Sequence, residues 1–241
     1  MDLKGKAALV TGGNSGIGKV IALGLASQGA EVLIGSRREN LNRQAALEIN
    51  KITKSRVASV AADVSREEDC EMLISRTVEL FGRIDICINN AGIGAGSTIA
   101  DLSTEDFDQV LKTNLYGSFW CSRAAFNAMR YNKPDPPDEI RGYIINISSV
   151  AGLEAWSGTG AYSISKFGIM ALTQALADEG KKALIKVTAI CPALVATPMT
   201  GKKGADFIQP EDVAETVLYL MRLSPAAWPV QEVINRRDAD R

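Results

Sequence analysis

The chain of 241 residues contains no histidine, so the side chain that proteins most often use for acid/base chemistry near neutral pH is missing. Histidine is also a frequent zinc ligand, and no Cys-x-x-Cys pair replaces it. The four cysteines are widely spaced, at Cys70, Cys87, Cys121 and Cys191. We therefore expect no metal site, and we expect reduced thiols, as in a cytoplasmic protein.

An excess of charge of one sign and long apolar runs are also absent. The 27 basic and 28 acidic residues give a formal net charge of −1, without the basic excess typical of a nucleic-acid-binding surface. No apolar run approaches the roughly 18 residues of a membrane span, and the first residues lack the apolar core of a signal peptide. These absences favour a cytoplasmic protein that acts on a small molecule, with no nucleic-acid or membrane partner.

Short apolar runs rich in β-branched residues alternate with amphipathic segments along the chain. Apolar runs joined by helices are typical of a parallel sheet covered on both faces. The sequence predicts one α/β domain over residues 1–241, a doubly wound parallel sheet of about seven strands with ligands beyond their carboxyl ends. The predicted strands are 7–11, 31–36, 57–61, 84–89, 143–148, 185–191 and 228–235. Helices are predicted at 16–27, 40–52 and 67–81 and after Pro210, and the proline-containing segment 132–141 is predicted as a surface loop.

A glycine-rich turn follows the first predicted strand, where residues 11–18 read T-G-G-N-S-G-I-G. Glycines allow close backbone approach, and the start of the next helix offers free N–H groups to a dinucleotide pyrophosphate. An ordinary tight turn is the alternative.

Arginines follow the second strand, in Ser36-Arg37-Arg38. Serine occupies the position where a carboxylate would bind the ribose of NAD(H), and arginine suits the 2′-phosphate of NADP(H). We therefore predict NADP(H) as the cofactor, with NAD(H) as the alternative. The other interpretation is that the two arginines are solvent-exposed residues before the next helix and bind no ligand. Asp63 and Val64 after the third strand are candidates for contact with the adenine, although this segment taken alone favours a helix N-cap or turn acid at Asp63.

Tyr162 and Lys166 are four residues apart on a predicted helix, and Ser149 ends a strand thirteen residues before Tyr162. A tyrosine has a pKa of about 10, and a nearby ammonium is expected to lower it. Hydride transfer to a ketone creates an alkoxide, which a serine hydroxyl and a phenol stabilise and protonate. The neighbouring Ser148 is the rival serine.

These motifs together resemble the short-chain dehydrogenase/reductase family over nearly the whole chain. The resemblance implies a Rossmann-type fold, a nicotinamide cofactor and a homodimer or homotetramer. It implies that Tyr162 is the general acid/base, assisted by Lys166, Ser149 and a proton-relay asparagine, Asn114. The cofactor contacts it implies, together with those argued above, are Gly12, Asn14, Ser15, Gly16, Ile17, Gly18, Ser36, Arg37, Arg38, Asp63, Val64, Asn90, Ala91, Gly92, Tyr162, Lys166, Pro192, Val195 and Thr197. Where the family commonly has Pro-Gly, this chain has Pro192-Ala193.

The leading hypothesis is an NADP(H)-dependent oxidoreductase that interconverts a ketone or 3-oxo compound and a secondary alcohol. A fatty-acid-type 3-oxoacyl-thioester reductase is the main rival, and it would need a basic patch near the cleft. Lys181, Lys182, Lys202 and Lys203 are candidates for that patch. A non-catalytic dinucleotide sensor would be expected to lack Tyr162 or Lys166. A nucleotide-sugar epimerase would be expected to have a larger C-terminal substrate domain.

Overall fold

A seven-stranded parallel sheet lies at the centre of this computed structural model, which describes residues 1–94, 96–134 and 140–237. The strands lie in the order β3-β2-β1-β4-β5-β6-β7, and every adjacent pair is parallel. Their bounds are β1 (Ala7–Thr11), β2 (Glu31–Ser36), β3 (Val57–Ala61), β4 (Ile86–Asn89), β5 (Gly142–Ile147), β6 (Ile185–Pro192) and β7 (Gln231–Ile234). The chain order reverses between β1 and β4, and the ligand crevice of such sheets opens at this point.

Helices cover both faces of the sheet, so the predicted doubly wound architecture is confirmed. They are α1 (Gly16–Ser27), α2 (Glu39–Ile52), α3 (Glu67–Phe81), α4 (Thr104–Leu111), α5 (Gly117–Met129), α6 (Gly160–Ala183) and α7 (Pro210–Arg222). Helices α1, α2 and α7 pack in one apolar cluster, and α3, α5 and α6 pack in the other. Across the described ranges, no helix is both long enough and apolar enough to span a membrane.

The predicted strand boundaries are correct to within about three residues. Strand β4 begins two residues later than predicted, at Ile86, directly after the buried Asp85. The Asp85 carboxylate accepts a hydrogen bond from the Ala7 amide at 2.9 Å and pairs with Arg83 at 2.7 Å. In the loop predicted at 132–141, the Asn132 amide bonds to the carbonyls of Ile84 and Arg141, at 2.7 and 2.8 Å. Residues 135–139 of that loop lie outside the described residues.

Candidate active site

Ser149 and Tyr162 meet where the sheet's carboxyl edge adjoins α6. Ser149 lies two residues after β5 and caps a short 3₁₀ turn, with its Oγ accepting from the Ala151 amide at 3.1 Å. The Ser149 hydroxyl also lies 3.4 Å from the carbonyl oxygen of Pro192, to which it donates. Tyr162 lies in the first turn of α6, with its phenol beside the Ser149 side chain, which acts to lower the phenol pKa. The rival Ser148 instead donates to the Lys166 carbonyl, at 3.3 Å.

Lys166 lies one turn further along α6 and is almost fully buried. Its ammonium donates to the carbonyl of Ile147 at 2.8 Å and lies 5.4 Å from the centroid of the Tyr162 ring. Burial lowers the pKa of Lys166 to about 8, because the low-dielectric surroundings disfavour the charged form. A Cβ added to Gly92 would lie 3.9 Å from the Lys166 Nζ atom, so the segment after β4 closes over the ammonium.

The expected lowering of the tyrosine pKa is wrong for the protein alone. Burial raises the pKa of Tyr162 above its ordinary value, and the hydrogen bond with Ser149 only partly offsets that effect. A pocket that removes water from a phenol disfavours its anion. The phenol therefore keeps its proton at neutral pH.

Asn114 lies in a π-helical turn, Lys112–Tyr116, between α4 and α5. Its side chain is fully buried, accepts from the Ile93 amide at 2.8 Å and donates to the Ile93 carbonyl at 2.9 Å and to Ser165 at 3.0 Å. The Asn114 main-chain carbonyl accepts from the Ser118 hydroxyl at 2.7 Å. Single π turns inside helices often mark functional sites, and this one fixes the segment after β4 beside α6.

The glycine turn is shaped to receive a pyrophosphate. Gly12 and Gly16 have φ values of +65° and +50°, which side-chain-bearing residues rarely adopt. A Cβ on Gly18 would lie 2.4 Å from the Asn90 Nδ2 atom, so only glycine fits where α1 meets β4. A Cβ on Gly16 would lie 3.5 Å from the methyl of Thr197, which places Thr197 beside the turn. These features fit a bound dinucleotide.

The predicted adenosine end contains a hydrogen-bonded chain of polar side chains. Asn14 donates to Ser36 at 2.5 Å and accepts from Arg38 at 3.5 Å. Sequence reasoning missed Asn42, which is fully buried on α2 and bonds to both Asn14 and Ser36, at 2.9 and 2.5 Å. The available signal was an asparagine in the apolar face that Ala45, Ala46 and Ile49 form on the same helix. The Arg37 side chain is exposed.

Asp63 has the contacts of a turn residue. Its carboxylate accepts from the Ser65 amide at 3.0 Å and from the Ser65 hydroxyl at 2.8 Å. Val64 is buried and its carbonyl accepts from Cys70. An adenine contact for this pair stays a prediction.

The remaining predicted contacts lie around the same crevice. Thr11, which the sequence analysis missed, accepts from the amides of Asn90 and Ala91 at 3.0 and 3.1 Å and so joins the ends of β1 and β4. Ala193 bonds to the Ile234 carbonyl at 2.9 Å. Among the described residues only Leu184 is a non-glycine with positive φ, so alanine suits position 193 without strain. Three further predicted cofactor contacts lie beside these strand ends. Ser15 is the N-cap of α1, Ile17 lies in the first turn of that helix, and Val195 follows β6.

Of the four lysines suggested as a basic patch for a carrier-bound substrate, two lie far from the candidate site. Lys181 and Lys182 lie in the last turn of α6, whereas Tyr162 lies in its first. Nineteen residues of helix separate them by about 28 Å, so these two lysines are not at the site. Lys202 and Lys203 follow the Thr197 segment and are exposed.

The sequence of the chain matches the family described as short chain dehydrogenase over residues 6–207. The chain belongs to this family. It is therefore an oxidoreductase of the class that interconverts CH–OH and C=O groups.

Relatives of this short-chain dehydrogenase cover its whole length. An uncharacterized oxidoreductase of Staphylococcus saprophyticus is 34% identical over 239 residues, covering 98% of this chain and 99% of the relative. A 3-oxoacyl-[acyl-carrier-protein] reductase of Synechocystis is 32% identical, with 97% and 96% covered.

Two solved structures have the same architecture. An alcohol dehydrogenase from Thermococcus sibiricus, complexed with 5-hydroxy-NADP, superimposes with a TM-score of 0.87 at 25% identity. A short-chain dehydrogenase from Burkholderia cenocepacia in complex with NADP gives 0.88 at 27% identity. Each comparison covers 98% of both chains.

Proposed function

We propose that this protein is an NADP(H)-dependent oxidoreductase that interconverts a ketone or 3-oxo compound and a secondary alcohol. The observation that carries the proposal is the placement of the Tyr162 ring 5.4 Å from the buried ammonium of Lys166, with the Ser149 side chain beside the phenol. This set lies at the carboxyl edge of the sheet that also holds the glycine turn, where nucleotides bind in folds of this kind.

The three side chains have complementary roles in ketone reduction. A bound dihydronicotinamide would supply the hydride, and negative charge then develops on the substrate oxygen. The Tyr162 phenol holds its proton at neutral pH and donates it to that oxygen, while the Ser149 hydroxyl turns from the Pro192 carbonyl to donate a second hydrogen bond. The Lys166 ammonium stabilises the phenolate that remains, and Asn114 holds the surrounding backbone.

The choice of NADP(H) is supported by the guanidinium of Arg38 at the predicted 2′-phosphate position, where it bonds to Asn14. The two solved relatives bound to NADP or its 5-hydroxy form support the same choice. The protein's uncharged Ser36 replaces the carboxylate that would favour NAD(H).

An apolar ketone is the substrate class that the surroundings favour. Leu153 and Trp156 lie between Ser149 and Tyr162 along the chain and are exposed by 39% and 51%. Ile99, exposed by 65%, packs onto Gly160, two residues before Tyr162. Large apolar side chains exposed in the chain segments that flank a reactive group suit an apolar substrate.

A 3-oxoacyl thioester is the second candidate, because of the Synechocystis relative and the exposed Lys202 and Lys203. NADPH oxidation should be measured with aryl alkyl ketones and with an acetoacetyl thioester in parallel. We expect activity with the ketones. A clear preference for the thioester, lost in a Lys202→Glu/Lys203→Glu double variant, would instead support the second candidate.

The catalytic assignment is tested by Tyr162→Phe, which removes only the phenolic oxygen. We expect kcat to fall at least about 1,000-fold, because no other group donates the proton. Tyr219→Phe on α7 is the matched control, since its side chain is 48% exposed and lies on another helix. Activity of the Tyr162 variant equal to that of the control variant would eliminate the proposed mechanism.

We also propose that residues 1–241 form one cytoplasmic domain that assembles as a homodimer or homotetramer. Support for assembly comes from neighbouring surfaces of the π-helical turn, α5 and α6, where four large apolar side chains are 39–46% exposed, namely Tyr116, Phe119, Ile164 and Phe167. Light scattering should give a mass of two or four chains. Phe119→Glu should shift it toward one chain if this face is the interface.

A further inference from the structure

We propose that Asn42 is a positioning residue for NADP(H) selectivity, acting through Asn14 on the guanidinium of Arg38. The inference builds on the proposed use of NADP(H). It adds a residue that lies outside the glycine turn and the strand ends, on the buried face of α2.

Every hydrogen-bonding atom of the Asn42 amide has a partner. Its Nδ2 donates to the carbonyls of Ser36 and Val60, at 2.8 and 2.9 Å. Its Oδ1 accepts from Asn14 at 2.9 Å and from the Ser36 hydroxyl at 2.5 Å. The two carbonyls can only accept, so they fix which end of the amide faces them. The oxygen must therefore point toward Asn14 and Ser36.

This one amide joins three segments of the cofactor crevice. Asn14 belongs to the glycine turn, Ser36 ends β2, and Val60 lies near the end of β3. Burying an amide side chain completely lowers the stability of a fold unless all its hydrogen bonds are made. Asn42 has zero exposure and makes all of them. Apolar packing alone does not require an amide at this position, whereas the two carbonyls and the two donors around it do.

The orientation of Asn42 determines what the crevice presents to a phosphate. The Ser36 hydroxyl donates its hydrogen bond to Asn42 and accepts one from Asn14 at 2.5 Å. It therefore has no proton left to donate to an anionic ligand. Asn14 is held by these contacts, and its own oxygen accepts from the Arg38 Nη2 atom at 3.5 Å. The Arg38 donor is thereby kept at the crevice, and less side-chain entropy is lost when it binds a phosphate.

Cofactor titrations test the inference through selectivity. We expect Asn42→Ala to raise the Kd for NADPH about tenfold and the Kd for NADH less than about threefold, because only NADPH carries the phosphate that Arg38 meets. Asn50→Ala is the matched control. Asn50 is on the same helix and its amide also bonds to β3, at Val57 at 2.7 and 2.9 Å, but at the opposite end of the strand. The control should change neither Kd.

A double-mutant cycle tests the route. In an Arg38→Ala background, Asn42→Ala should change the Kd for NADPH by less than about twofold, because the side chain on which it acts is gone. An effect that persists in that background, or equal losses for NADPH and NADH, would overturn the inference. If Asn42→Ala does not fold, Asn14→Ser interrupts the same route and should produce the same selective loss.

The failure of this inference can be told apart from that of the proposed function. Wild-type protein that does not bind NADPH would overturn both. Wild-type protein that binds and oxidises NADPH, with Asn42→Ala unchanged in selectivity, would overturn the role of Asn42 alone.

Discussion

The ammonium of Lys166 lies 5.4 Å from the centre of the Tyr162 ring, and Lys166 is buried while Tyr162 is half-buried. Burial acts on the two in opposite directions, raising the pKa of the phenol and lowering the pKa of the amine. In both cases the neutral form is favoured. The site therefore carries an energetic cost for keeping a cation where the chemistry requires one.

That cost should appear in the pH dependence of stability. The pKa of Lys166 is about 8 in the folded chain, against 10.5 for the free group, so the unfolded chain binds more protons between these values. The loss of unfolding free energy caused by burying the Lys166 ammonium is at its maximum below pH 8 and disappears as the pH rises through 10.5. Relative to Lys166→Met, wild-type protein should gain about 2 kcal/mol of unfolding free energy between pH 7.5 and 9.5. Urea unfolding without cofactor measures this difference, and a difference independent of pH would contradict it.

The crowded position of Gly18 predicts a specific loss of cofactor binding. A Cβ there would lie 2.4 Å from the Asn90 side chain and 2.6 Å from the Gly12 carbonyl, so the glycine turn must shift. Gly18→Ala should raise the Kd for NADPH at least about tenfold and destabilise the fold by about 1–3 kcal/mol. Fluorescence titration and urea unfolding measure the two effects.

Gly24 provides the control on the same helix. A Cβ there would lie 3.5 Å from Leu218, an ordinary contact. Gly24→Ala should leave cofactor affinity unchanged and stabilise the fold by about 0.5–1 kcal/mol, because alanine loses less backbone entropy. Similar affinities in the two variants would show that the close approach of Gly18 does not matter.

Leu184 ends α6 in the left-handed conformation, at φ 58° and ψ 38°. Leucine is strained there, so Leu184→Gly should raise the unfolding free energy by about 0.5–1 kcal/mol despite the lost apolar contacts. Leu41→Gly is matched for exposure, 38% against 37%, but lies inside α2. It should destabilise the protein by about 1 kcal/mol. Thermal unfolding of the two variants measures both changes in stability. A loss of stability in both variants would contradict the strain argument.

The two arginines after β2 should differ in their effect on cofactor choice. Both arginines are exposed, and Arg38 donates to Asn14 of the glycine turn at 3.5 Å. Arg38→Asp should reduce the preference for NADPH over NADH at least about tenfold, and Arg37→Asp should reduce it less. Ratios of kcat/KM for the two cofactors provide the measurement. A larger effect at Arg37 would assign the phosphate contact to that residue.

The sequence by itself determined the local features of this protein. Apolar runs and helical periodicity located the sheet, and T-G-x-x-x-G-x-G and Y-x-x-x-K located the candidate site, because such patterns depend on neighbours along the chain. The offset of thirteen residues from Tyr162 also favoured Ser149 over its neighbour Ser148.

Only the tertiary structure decided properties that depend on distant segments. The raised pKa of Tyr162 and the lowered pKa of Lys166 follow from burial, which local spacing does not specify. The exclusion of Lys181 from the site required the length and direction of α6. Asn42 gained its role because folding brought the ends of β2 and β3 and the glycine turn to one amide. A side chain's protonation and partners are set by what surrounds it in space, and that environment is assembled only when the sheet forms.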